Sequence, residues 1–247
     1  MKKSTQICAI IILLFFTTMN VQAYTINDNY WGADDHGWGD IIGNPSYFDI
    51  SKMDVNLNNG TLTVDIFTTY VNHRGIYGTQ LGDLFISSDG WKPYGSPNYS
   101  GDNASNGEKW EYVAIINSRE TVTSGSLSVY EIDQGTIINS LAPSGSIWRN
   151  GQEVLFSPTN GAPTIGQNST WEIINLNNTN YDILRLTINS GGVFSGVTNF
   201  GFHWGMTCAN DVIEGAAPVP EPATMLLLGT GLVGLVGFGR KKFLKRG

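Results

Sequence analysis

The chain is short of cysteine, of histidine and, through most of its length, of positive charge. Cys8 and Cys208 are its only cysteines. Cys8 lies inside an apolar N-terminal run that is expected to be removed, with no cleavage site before it, which argues against a lipoprotein. Cys208 is then the one thiol of the mature chain. That excludes an intramolecular disulfide, and the residue is expected to be a small buried hydrophobe. From Tyr24 to Ala217, seven Lys or Arg stand against twenty Asp or Glu, a net of −13. Such a domain repels nucleic acid and anionic surfaces, so no nucleic-acid partner is expected. The three histidines, His36, His73 and His203, are widely spaced and are expected to be structural. There is no Gly-x-Ser-x-Gly elbow and no His-Glu-x-x-His, the motifs that would mark common hydrolases. No apolar stripe of helical period occurs between the two ends, and no repeat of about 20–50 residues, which disfavours propellers and β-helices.

What the chain does have is period two. Thr61-Leu62-Thr63-Val64-Asp65-Ile66-Phe67-Thr68 alternates as a half-buried strand does, entered through the turn Asn58-Asn59-Gly60. Similar runs cover 83–87, 110–117, 126–132, 151–156, 171–176 and 181–188, separated by turns such as Ser88-Asp89-Gly90 and Ser190-Gly191-Gly192. Many short strands with glycine-rich turns predict an all-β domain, an antiparallel two-sheet sandwich of jelly-roll type. The expected organisation is a signal peptide at 1–23, the sandwich at 24–213, a linker at 214–219 and a tail at 220–247. The linker is placed where periodicity stops and Ala and Pro take over.

Both ends carry addresses. Lys2 and Lys3, the apolar run from Ile7 to Phe16 and Val21-Gln22-Ala23 make a signal peptide, cut by signal peptidase so that Tyr24 begins the mature chain. At the other end Pro220-Glu221-Pro222 precedes an uncharged apolar stretch at 223–239. A helix of that length spans roughly 24–26 Å, enough for one transmembrane pass with local thinning. Arg240, Lys241, Lys242, Lys245 and Arg246 follow, a basic end that stays cytoplasmic.

The order Pro-Glu-Pro, apolar span, basic cluster resembles the PEP-CTERM sorting signal. The resemblance implies recognition by an exosortase, a cysteine transpeptidase-like enzyme of the inner membrane, in a Gram-negative envelope. It further implies cleavage near the motif and passage to the cell surface or the exopolysaccharide of a biofilm matrix. Two prolines around one acid hold the strip extended above the bilayer, with Glu221 as an acidic handle. Asp83–Trp91 and Trp204–Gly215 are similar to segments of uncharacterised members, a likeness that brings no activity with it.

Candidate chemistry in the domain is sparse. Glu131-Ile132-Asp133 on a strand would set two acids on one face, as in some sandwich glycosidases, but Gly135 stands where the third acid belongs. Glu108 and Glu111 read as a turn and a strand edge. Asp28, Asp34, Asp35 and Asp40 crowd a glycine-rich segment with Asn27, Asn29 and Asn44, oxygen ligands of the kind Ca²⁺ takes. No EF-hand spacing occurs, since Asp102–Gly107 has Ala104 where an oxygen belongs. Solvated loop acids are therefore the preferred reading, and calcium the alternative to no cofactor. Of seven tryptophans, Trp110 and Trp171 open apolar strands and are expected in the core. Trp31, Trp38 and Trp91 lie in Gly/Asp/Pro loops and are the candidates for stacking on sugar rings. The expectation is a non-enzymatic, exported surface or matrix protein. A carbohydrate-binding or calcium-stabilised adhesion module ranks second and a glycoside hydrolase third.

Overall fold

A computed structural model describes residues 23–34, 37–120, 122–143, 146–159, 161–163, 165, 168–177, 179–218, 229 and 231. All but the last residue of the signal peptide, the motif Pro220-Glu221-Pro222, the basic end and all but two residues of the apolar span lie outside the described residues. Among the described residues no helix is long and apolar enough to cross a membrane.

The alternation in Thr61–Thr68 does what period two requires: every second side chain, from Leu62 to Thr68, is buried. Asn59 and Gly60 both take positive φ, 49° and 80°. That is the two-residue turn whose twist suits a hairpin, and it returns the preceding strand onto this one. Among the described residues there are twelve strands: β1 (Tyr24–Asn27), β2 (Ile50–Asn58), β3 (Thr61–Thr68), β4 (Leu84–Ser87), β5 (Tyr112–Ile116), β6 (Ser124–Glu131), β7 (Gly135–Asn139), β8 (Glu153–Pro158), β9 (Thr170–Ile174), β10 (Asp182–Asn189), β11 (Asn199–Gly205) and β12 (Val212–Pro218). One four-residue helix, α1 (Pro45–Phe48), is capped by the Asn44 side chain.

The all-β antiparallel expectation is met, but the strands are joined differently from a two-sheet sandwich. Ten form one ladder in the order β1-β2-β3-β10-β9-β6-β5-β4-β11-β12, close to a barrel, and β7 and β8 form a separate hairpin. β6 makes the join. Its Ser124–Ser126 pair with β9, while Leu127–Glu131 pair with β5. At the two ends of the ladder Gly215 of β12 sits against Ile26 of β1. A Cβ at that glycine would lie 2.6 Å from the isoleucine methyl.

The β7–β8 hairpin explains why the strand at 199–205, β11, escapes a period-two reading, and it also covers β4, which falls in the expected run at 83–87. β4 and β11 are buried on both faces. Leu84, Ile86, Phe200, Phe202 and Trp204 enter the main core. Phe85 points the other way, into a second cluster with Trp110, Val113, Tyr130 and Phe156, the last of these from β8. A strand covered on both sides loses its polar alternation. Burial of β12 against β1, Trp91 and the main core corrects the linker boundary. Residues 214–218 belong to β12, and Glu214 and Ala217 are buried. Their Ala and Gly content reflects tight packing rather than a flexible tether.

Candidate functional site

The segment from Asp28 to Asn44 folds back on itself through glycines at positive φ, Gly37, Gly39 and Gly43. The folding brings Asp40 beside Asp28, the residue that follows β1. Asp211, just before β12, completes a group whose three carboxylates have one oxygen each within 4.8 Å of one another. Asp211 is held rigidly: it accepts from the Ile50 amide at 2.6 Å and the Val212 amide at 2.9 Å. The loop is tied to the same place by the Ile42 amide, which donates to the Asn210 carbonyl at 2.7 Å.

Three carboxylates so close repel one another, and the surroundings do little to offset it. Both oxygens of Asp28, one of Asp40 and the side-chain oxygen of Asn210 are sealed from solvent without a hydrogen-bond partner. The Tyr30 amide favours the charged form of Asp28 but makes no hydrogen bond to it. Burial, then the charges of Asp40 and Asp49, raises the pKa of Asp28 well above the usual carboxylate range. Burial pushes Asp40 up to about 6. Asp211 is raised by burial and by its two neighbours. The nearby cation, Arg149, is fully buried, and its five hydrogen bonds run to backbone carbonyls, those of Trp31, Gly32, Gly39, Asp40 and Ala209.

Of the four acids singled out in the sequence, the fold thus unites Asp28 and Asp40. Asp34 plays a different part. Its carboxylate accepts from the Trp38 and Gly39 amides at 2.8 and 3.0 Å and closes the turn. Asp35 lies outside the described residues, as does His36. Asp211 does not stand out in the sequence, because nothing in its local spacing marks a ligand.

The tryptophan candidates part company as well. Trp38 is 54% exposed. Trp31 is half-buried, with its ring over Gly39. Trp91 turns inward, and its indole N–H donates to Glu214 at 2.6 Å. Trp110 and Trp171 are core residues. Glu131 and Asp133 do not share a strand, as β6 ends at Glu131 and Asp133 sits in the 3₁₀ turn Ile132–Gln134. Glu108 and Glu111 hold loops, accepting from the amides of Lys92 and Ser88 respectively. Cys208 is buried and free, its thiol pushed up to about 12 by burial.

A second buried group surrounds His203. Its Nε2 faces the Glu153 carbonyl at 2.8 Å and so carries hydrogen, while Nδ1 faces Glu214 Oε2 at 2.8 Å. A further proton must therefore sit between the imidazole and the carboxylate. Glu153, Tyr30 and Asp102 complete the titratable surroundings. Burial works against a charged His203, but the bond and charge of Glu214 outweigh it and raise the pKa above 6.5. Burial also raises Glu214 and Glu153. A raised His contributes stability that is complete below its unfolded pKa and is lost as pH climbs through the folded value. The raised glutamic acids act in the same direction from their own unfolded value upward. The expected result is a lower melting temperature at about pH 8 than at about pH 5.5. Glu214→Gln supplies its own N–H to Nδ1 and should flatten that dependence. A wild-type profile that rises over this interval would rule out the shared proton.

Residues 218–241 match the family model of the PEP-CTERM protein-sorting motif. The match starts at Pro218, the last residue of β12. No curated protein and no solved structure matches the chain. The motif implies an exported protein that begins as a membrane-anchored precursor and is processed by an exosortase.

Proposed function

We propose that this chain, ending in a PEP-CTERM sorting motif, is a non-enzymatic surface or matrix protein released from the inner membrane by exosortase cleavage near Pro220-Glu221-Pro222. The observation that carries the reading is the position of the motif. It begins where the last described strand ends, so a cut beyond Pro218 leaves all twelve described strands on the released side. The domain is acidic, which suits an extracellular product that stays soluble and does not adhere to anionic lipid.

The non-enzymatic part rests on the placement of the acids. Two shallow clefts of about 420 and 410 Å³ include Asp34 and Glu120 respectively, and among the described residues neither is lined by a carboxylate pair. A glycoside hydrolase needs two facing carboxyls about 5–10 Å apart across a substrate cleft. The carbohydrate-binding alternative is left with Trp38 as the freely exposed member of its three candidates, and one indole is a small platform for a polysaccharide.

The test is the intact mass of the protein recovered outside the cell, from strains with and without the exosortase. The expected product begins at Tyr24, ends near Pro220 and is absent without the enzyme. A full-length tail in both strains would make the chain a permanent membrane-anchored protein and defeat the reading.

A further inference from the structure

The unpaired oxygens beside β12 call for a ligand. We infer that Asp28, Asp40 and Asp211 hold one calcium ion, which fastens the N-terminal strand and its following loop to the start of the last strand. This rests on the domain's geometry and is independent of how the tail is processed.

Three observations converge on a cation. Three carboxylates present oxygens within 4.8 Å of one another. The Asp28 oxygens and Asp40 Oδ1 are fully shielded from solvent and make no hydrogen bond, and Asn210, 3% exposed and adjacent to Asp211, has another such oxygen. Leaving an ionised group buried without a partner is among the costliest arrangements in a protein. Finally, Arg149 spends its donors on backbone carbonyls rather than on the carboxylates, and although its charge favours the ionised acids, it leaves their oxygens without a bonding partner.

The ligand chemistry selects the ion. All donors are hard oxygens, with no imidazole or thiolate in the group, which disfavours zinc and copper. Magnesium keeps several waters and demands near-octahedral geometry, whereas these oxygens are shut away from water. Calcium accepts six to eight oxygens in irregular arrangements, including backbone and amide carbonyls. Extracellular modules bind it at about 0.1–1 mM, so an exported domain would meet enough calcium only after leaving the cytoplasm.

The consequence is mechanical. Asp28 follows β1 and Asp211 precedes β12, the two strands at the open seam of the near-barrel. Among the described residues no strand ladder joins these two. A shared ion ties the seam at one end and holds the strand that leads into the sorting tail.

The experiment uses the full-length chain in detergent, treated with chelator and titrated with CaCl₂ or MgCl₂. Calorimetry and metal analysis should show one calcium per chain. At about a hundredfold excess over Kd the melting temperature should rise by roughly 5–10 °C, with a smaller response to magnesium. Asp28→Asn and Asp40→Asn should lose binding and the thermal shift. Because each removes one of three repelling charges, both variants should melt without calcium no lower than the chelated wild type. Asp133→Asn, in the 3₁₀ turn Ile132–Gln134, should bind as wild type does. The inference fails if no calcium binds, if Asp28→Asn and Asp40→Asn bind it unchanged, or if magnesium binds more tightly than calcium.

Discussion

Asp83→Ala is expected to lower unfolding stability by roughly 3–5 kcal/mol, a fall in melting temperature on the order of 10 °C. Asp83 is completely buried, and its carboxylate joins three parts of the fold. Oδ1 accepts from the Ile116 amide on β5 at 3.1 Å and from Arg119 at 2.6 Å, and Oδ2 accepts from the Phe156 amide on β8 at 2.8 Å. Its own amide donates to the Val154 carbonyl at 2.8 Å, so the separate hairpin hangs on this residue at two points. The ion pair itself is not the source of the stability. Burial raises the Asp83 pKa despite Arg119, so desolvation costs more than the pairing returns. What alanine loses is satisfaction: two buried amides are left with no acceptor, and a largely buried guanidinium keeps only its bond to the Leu81 carbonyl. The combination Asp83→Leu with Arg119→Met removes both charges and should recover part of the loss. Urea denaturation of the single and double variants measures both terms. A single variant within about 1 kcal/mol of wild type would mean that the hairpin is held by apolar contacts alone.

How far the sequence announces this structure depends on which faces meet water. β3 is legible because Thr63, Asp65 and Phe67 remain partly exposed while Leu62, Val64 and Ile66 enter the core. β11 is not, because Gly201, His203 and Gly205 on its outer side are covered, and a buried glycine or histidine looks nothing like a solvated residue. β12 reads as a linker for the same reason. The carboxylate cluster divides similarly. Asp28 and Asp40 lie in one glycine-rich loop, so composition alone draws attention to them, but it does not separate them from Asp34, whose carboxylate caps a turn. Asp211 joins only through the near-closure of the ladder, a long-range event with no local signature. Trp91 misleads because a Gly/Pro loop suggests exposure, whereas Glu214 supplies a buried acceptor for its indole.

Arg149→Lys is expected to cost about 4 kcal/mol or more, although the charge is kept. The guanidinium lies at the meeting of three segments and donates to carbonyls at 31–32, 39–40 and 209. A planar fork with five donors can serve all of them at once. An ammonium on a straight stem has three donors and cannot span the same points, so at least two buried carbonyls go unpaired at about 1–3 kcal/mol each. The backbone already carries strain at this junction. Ala33 and Ala209 hold positive φ of 45° and 47°, a conformation that costs a non-glycine residue about 1–2 kcal/mol and persists where the surroundings impose it. With the fork gone, both alanines are free to relax, and the loop that carries Asp40 moves with them. Hydrogen exchange should therefore show the earliest loss of protection at the Ala33 and Ile42 amides, which donate to Asp102 and Asn210. The paired amides of β3 and β10 should be lost only with global unfolding. Equal loss of protection everywhere would mean that Arg149 supports the whole barrel rather than the loop, and full retention would mean that lysine reaches the same carbonyls.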